Sequence, residues 1–172
     1  ILNIDKLNKN FDMILCNGVL HHMKEPIKGL EKLYNSLNKN GLMKISLYSK
    51  LGRSTISNFQ EQAKKNYLLN NIENLRIFRD KIIDDYSKLN NFIYWSDFYK
   101  TSEFKDLICH EMEHQFTISK IDKMLSKLGL KFCGFVNVAN VVDNFINHYQ
   151  SSDFMSDLNK WDEFENKFKN SF

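Results

Sequence analysis

Two short stretches carry the residue types that do chemistry. Asn17, Gly18, Val19 and Leu20, followed by His21 and His22, close an apolar run that begins at Phe11. An unperturbed imidazole titrates near neutral pH, so such histidines can move a proton. Gly18 has no Cβ and lets a ligand come close to the backbone; the competing reading is a plain turn glycine. The second stretch, His110-Glu111-Met112-Glu113-His114, matches H-E-x-x-H. On a continuous helix its two histidines share a face and bind zinc while Glu111 polarises a water, as in a zinc metalloprotease. That chemistry needs a regular helix and a third ligand downstream. Phe116-Thr117 ends any such helix at once and the next histidine is the distant His148, so the protease is the remote reading and no metal site is expected.

The elements that must position these residues follow from periodicity. Met13, Ile14 and Leu15 show no apolar-polar alternation, which predicts a strand over Asp12 to Cys16 covered on both faces in a parallel sheet. Ligands collect beyond the carboxyl ends of such strands, where Asn17 to His22 fall. Pro26 opens a helix whose apolar face is Ile27, Leu30, Leu33, Tyr34 and Leu37, Asn38 to Gly41 form a turn, and Leu42 to Tyr48 is the next strand. Phe11 to Tyr48 is therefore predicted to be one right-handed strand-helix-strand unit.

From Ser54 to about Asn90 two helical stripes run through Ile56, Phe59, Ala63 and Tyr67, then Leu75, Phe78, Ile82, Tyr86 and Leu89. They exceed an ordinary connection, and form a cap over the sheet or additional core. Phe92, Tyr94, Trp95, Phe98, Tyr99 and Phe104 crowd the next stretch, as packing or as a pocket lining. Thr117 caps a helix with Ile121, Met124, Leu125 and Leu128 inward, Gly129 ends it, and Leu130 to Val136 is predicted to be a strand. Helices through Val141, Phe145 and Tyr149, and through Leu158, Trp161, Phe164, Phe168 and Phe172, complete the chain. A stripe running to the last residue implies something that covers it.

The chain has 172 residues, 42% hydrophobic and 26% charged, the proportions of about one globular domain. Its 24 basic and 21 acidic side chains give +3 and are interspersed, so a nucleic-acid footprint is not indicated. No apolar run reaches the ~18 residues of a membrane span and no leader pattern opens the sequence, so no membrane association and a cytoplasmic location are expected. Cys16, Cys109 and Cys133 have no C-x-x-C spacing and are expected to be buried free thiols.

Phe11-Asp12, Ile14 and Gly18-Val19-Leu20-His21-His22, then Pro26, a helix, Asn40-Gly41-Leu42 and a strand ending at Tyr48-Ser49, resemble the second half of class I S-adenosylmethionine-dependent methyltransferases. The resemblance extends through Glu113-His114-Gln115-Phe116-Thr117-Ile118 and Leu128-Gly129-Leu130-Lys131-Phe132-Cys133-Gly134-Phe135 to a bacterial subgroup often attached to tetratricopeptide repeats. It implies an α/β, Rossmann-like methyltransferase fold that is partial, from the fourth strand onward, with a helical insertion after the fifth strand. The implied division is 1–53 for the second half of the core, 54–105 for the insertion or cap, 106–136 for a helix and strand completing the core, and 137–172 for C-terminal helices. Asn17, Gly18, Val19 and Leu20 would line S-adenosylmethionine, His22 and His114 would be the general-base candidates, and Tyr48 and Arg53 would position the methyl acceptor. The Glu-His-x-Phe-Thr pattern of the subgroup makes Glu111 incidental to it.

The departures from that family are equally specific. Its Gly-rich loop after the first strand, the acid that holds the ribose hydroxyls and a further acid near the third strand have no counterpart, and the six glycines form no G-x-G. The natural domain is expected to begin upstream of Ile1, and the partners expected are the missing N-terminal half of the domain, upstream tetratricopeptide repeats and an unknown methyl acceptor. The alternative is a non-catalytic, methyltransferase-like interaction module that docks through the Trp161 to Phe172 stripe.

Overall fold

The computed structural model describes residues 1–66, 71–85, 96–110, 112–136, 139–169 and 171–172. They divide into two compact units, Ile1–Gly52 with Met112–Phe172, and Arg53–Glu111.

The first unit is built on the predicted strand-helix-strand. Strand β1 (Phe11–Cys16) leads through a 3-10 turn to helix α1 (Pro26–Asn35) and then to β2 (Leu37–Ile45). β1 and β2 are parallel, with Ile14 opposite Met43 and Cys16 opposite Ile45. β2 starts earlier than predicted because the Asn38–Gly41 turn is absorbed into it. The register slips between Phe11/Leu37 and Met13/Leu42, and Asn40 takes the left-handed φ of 64° that such a slip needs. Pro26 occupies the first turn of α1, where its missing N–H costs nothing. Leu30 and Leu33 on α1 pack with Ile14, Cys16 and Leu20, and Phe116 and Met124 complete this core.

β1 is covered on one face only, contrary to the expectation from its continuous apolar run. Ile14 and Cys16 point into the core, whereas Met13 is 59% exposed, Leu15 60% and, across the ladder, Leu42 59%. The alternation of side chains along a strand sends Met13 and Leu15 to the opposite face.

The predicted fifth strand is also divided. Its end, Tyr48–Ser49, forms a separate short strand β3 that pairs in parallel with β4 (Gln115–Phe116), Tyr48 opposite Gln115 and Ser49 opposite Phe116. Helix α6 (Ile118–Leu128) follows. As predicted, Thr117 caps it by accepting from the Lys120 N–H, and Gly129 closes it at φ 68°. Leu130 to Val136, expected as a strand, forms none. Gly134 has φ 139°, outside the range of a strand residue, and no ladder partner borders the segment among the described residues. Phe132 and Phe135 instead turn their rings together, 5.1 Å apart, and Phe135 meets Trp161 at 4.9 Å.

The C-terminal stripe is covered from within the same unit. Helices α7 (Ala139–Tyr149) and α8 (Leu158–Lys167) bury Phe145, Leu158, Trp161 and Phe164 with Ile118, and Phe172 packs at the edge. Trp161 and Phe164 of the stripe are thereby covered internally, whereas Phe168 is 43% exposed. Of the three thiols Cys16 is buried, Cys109 half-buried and Cys133 exposed, so the expectation of burial fails for Cys133.

The second unit is helical: α2 (Ser54–Asn66), α3 (Ile72–Asp84), α4 (Ser96–Tyr99) and α5 (Thr101–Cys109). Ile56, Phe59 and Ala63 of α2 pack with Leu75, Phe78 and Ile82 of α3, and Phe98, Phe104, Leu107 and Ile108 fill the same core. The described members of both helical stripes are thus core positions. Of the aromatic stretch, Phe98 and Phe104 are buried and Tyr99 is exposed. Tyr67, Tyr86, Leu89, Phe92, Tyr94 and Trp95 lie outside the described residues.

Candidate functional site

The turn after β1 is fixed by its own chain. Asn17 Oδ1 accepts from Ser46 Oγ at 2.9 Å, and the Ser46 N–H donates to the Cys16 carbonyl at 3.1 Å, tying the end of β1 to the residue after β2. Gly18 stands at φ 69°, a left-handed conformation that an L side chain adopts at a cost, and the space where a Cβ would lie is open. Val19 is exposed, whereas Leu20 is fully buried in the core. Leu20 also reaches back through its backbone to Cys16. Burial pushes the Cys16 thiol up, and the Leu20 backbone hydrogen bond lowers it in part. Asn17 to Val19 therefore form an open edge above an anchored Leu20.

A groove of about 530 Å³ runs beside this turn, lined by Cys16, Asn17, Val19 and Leu15 from β1 and its end, and by Ile4 and Leu33 on the other side. Its lining is mainly apolar, and no carboxylate borders it among the described residues. It thus offers a surface for the apolar part of a ligand, with Asn3 and Asn17 as its polar groups, and no acid for a pair of ribose hydroxyls.

Immediately after Leu20, the chain presents an aromatic cluster. The rings of His21 and Tyr48 lie 3.9 Å apart and 32° from parallel, His21 and His22 meet edge-on at 4.2 Å, and His22 and Tyr48 at 6.0 Å. His21 is buried. His22 Nδ1 is 3.0 Å from the Met112 carbonyl. A carbonyl only accepts, so Nδ1 carries the hydrogen in that bond and the neutral ring keeps its lone pair on Nε2.

The β3–β4 pairing brings the downstream motif to the same place. The His114 N–H donates to the His21 carbonyl at 2.7 Å, and Gln115, the next residue, is the ladder partner of Tyr48. His114 Nε2 is buried and has no hydrogen-bond partner among the described residues. The structure thus joins His22, Tyr48 and the His114 backbone, which are 26 and more residues apart in sequence, around His21. Sequence reasoning ranked His21 below His22. The signal that would have raised it is Tyr48, an aromatic at the end of the next strand with a ring able to stack on it.

Arg53 is buried and opens the second unit, where its carbonyl accepts from the Ser57 N–H at 2.9 Å and from Ser57 Oγ at 3.0 Å. The H-E-x-x-H spacing is not helical. Helix α5 ends at Cys109, His110 is its C-terminal cap with extended ψ of 124°, and Met112 to His114 are irregular. The i, i+4 geometry on which zinc binding by such a motif depends is therefore absent, and Glu111 lies outside the described residues. Among the described residues no three His, Cys, Asp or Glu side chains are grouped to hold a metal. No helix among them is long and apolar enough to cross a membrane.

No family model matches the chain. It is 26% identical over 143 residues, 78% of its length, to an uncharacterized protein of Synechococcus sp., and this match spans 34% of that relative. It is 49% identical over 41 residues, 24% of its length, to the tRNA U34 carboxymethyltransferase of Campylobacter fetus subsp. fetus, of which the match spans 14%. The chain thus spans about a third of the first relative's length and a short part of the second, which is a transferase of carboxymethyl groups.

Proposed function

We propose that this chain forms one half of a class I, S-adenosylmethionine-dependent methyltransferase domain with a partial Rossmann-like fold, β1 and β2 being its fourth and fifth strands. The observation that carries the reading is convergence at one end of a parallel sheet. The Gly18 turn follows the carboxyl end of β1, and Tyr48, three residues beyond β2, stacks on the histidine that follows that turn. The likeness over 41 residues to a carboxymethyltransferase supports it.

In this reading Asn17, Gly18, Val19 and Leu20 form one wall of the methyl-donor pocket, Asn17 and Val19 with exposed side chains and Leu20 through its backbone. The missing wall, with a Gly-rich loop and a ribose-binding acid, belongs to polypeptide outside these residues. Met13, Leu15 and Leu42 are the face that such a segment covers, since a parallel sheet is normally buried on both sides. Upstream tetratricopeptide repeats, and a cytoplasmic location, belong to the same reading.

When bound, S-adenosylmethionine supplies a methyl group that is already electrophilic. The chain's own residues then need only orient an acceptor and, where that acceptor is protonated, take its proton. In this reading His22 is the first base candidate, because its Nδ1 bond to the Met112 carbonyl puts the lone pair of the neutral ring on Nε2. Tyr48 orients the acceptor from the side, and His114 is the second base candidate.

In a chain extended to the whole domain, His22→Ala is expected to lower kcat by about 10²–10⁴-fold for a protonated acceptor, and His114→Ala to have the smaller effect. Steady-state methyl transfer from radiolabelled donor measures both. Unchanged turnover in the two variants removes these histidines as bases.

A further inference from the structure

Tyr48 belongs to a very short strand. β3 is two residues long, Tyr48–Ser49, and its ladder with β4 is equally short. An isolated pairing of this length is not stable on its own. The next residue adds one bond, from the Lys50 N–H to the Phe116 carbonyl at 2.9 Å.

A further tie comes from the C-terminal helix. Glu165 lies on α8, is 3% exposed, and its Oε1 accepts from Ser49 Oγ at 2.5 Å. Ser49 Oγ in turn accepts from the Gly52 N–H at 3.0 Å, so one hydroxyl bridges helix, strand and the turn beyond. Gly52 is closed against the chain end, where an added Cβ would run into the Phe172 carbonyl. A buried carboxyl is expensive unless hydrogen-bonded, and this one is directed at the residue next to Tyr48. Burial pushes its carboxyl above the ordinary range, with Asp162 acting in the same sense, and the Ser49 hydroxyl pulls it back. Core packing alone would be served by an apolar side chain here, as at the neighbouring Phe164.

We propose that Glu165 is a positioning residue of the candidate site, which through the Ser49 hydroxyl fixes β3 and thereby holds the Tyr48 ring against His21. The importance of that stack for methyl transfer rests on the reading given above; the positioning itself does not.

The test uses the 172-residue chain with its histidine rings isotopically labelled. There are five histidines, few enough for each ring signal to be assigned by single replacements. The Tyr48 ring, 3.9 Å from that of His21, displaces the His21 ring protons upfield. Glu165→Leu and Ser49→Ala are expected to lose that displacement, and Glu165→Gln, which retains an acceptor for Ser49, to keep it. Tyr149→Phe, which removes a bond from the Tyr149 hydroxyl to the Lys160 carbonyl on the same helix, is expected to leave it unchanged. An unmoved His21 signal in folded Ser49→Ala overturns the proposal, as does its loss in Glu165→Gln; Ser49→Ala decides if Glu165→Leu does not fold. Assaying the same variants in the extended, active chain separates the two claims. Loss of the His21 displacement with unchanged KM and kcat upholds the positioning and removes the stack from the reaction.

Discussion

Leu20→Ala is expected to destabilise the first unit by about 2–5 kcal/mol, the cost of removing a buried leucine and leaving a cavity. Its side chain is fully buried among Ile14, Cys16, Leu30 and Leu33, so the wall of the void is made by β1 and α1 together. The value should fall toward the upper end, because β1, which borders it, is fixed by its parallel ladder with β2 and cannot readily close in. The substitution acts on the site as well. Leu20 is the anchor between the open Asn17–Val19 edge and the stacked His21, and its backbone bond to Cys16 closes the turn. Urea unfolding followed by circular dichroism should show a lower midpoint at unchanged slope. A loss below about 1 kcal/mol would mean that this turn is not rooted in the core.

The other large effect is expected at Trp161. Its ring is stacked on Phe145, with centroids 3.7 Å apart and planes 15° from parallel, and its Nε1–H donates to the Met155 carbonyl at 2.9 Å. Trp161→Ala should cost about 3–5 kcal/mol, as truncation of a buried aromatic does. Trp161→Phe keeps most of the stacking and gives up the hydrogen bond, leaving the Met155 carbonyl to find another donor, so about 1–3 kcal/mol is expected. The pair also tests the architecture. Were the Trp161 to Phe172 stripe an outward docking face, both substitutions would be nearly neutral in the isolated chain.

The parts of the fold that could be read from the sequence were those set by local chemistry. Pro26 at the start of α1, Thr117 and Gly129 at the ends of α6, and the helical spacing of Ile56, Phe59 and Ala63 each act within a few residues, and the structure has them so. What failed depended on distant partners. Met13-Ile14-Leu15 announces a strand with two apolar faces, but nothing in those residues says whether the second face is covered. Leu130 to Val136 has the composition of a strand, yet a strand exists only where an edge is available to pair with it. The division of the predicted Leu42–Tyr48 strand follows the same rule, because Tyr48–Ser49 pairs with Gln115–Phe116 rather than with β1.

The candidate site divides similarly. His22 and Tyr48 are conspicuous by residue type at the ends of consecutive strands, and the structure places them in one cluster. H-E-x-x-H is conspicuous too, but its meaning depends on helical spacing, and α5 stops at Cys109 before the motif begins. Glu165 was invisible. An acid in the last turn of an amphipathic helix looks like any solvated charge until Ser49, more than a hundred residues away, is found against it.

The central claim is that Asn17–Leu20 and the His21–Tyr48 cluster form half of a methyl-donor site. Calorimetric titration of S-adenosylhomocysteine into the 172-residue chain, and into one extended upstream to the whole domain, tests it most directly. Binding by the longer chain, weakened when Gly18 is replaced by a residue whose side chain fills the open space beside the turn, and little or none by the shorter one, is the expected result. Absence of binding by both chains would contradict the claim and favour a non-catalytic module.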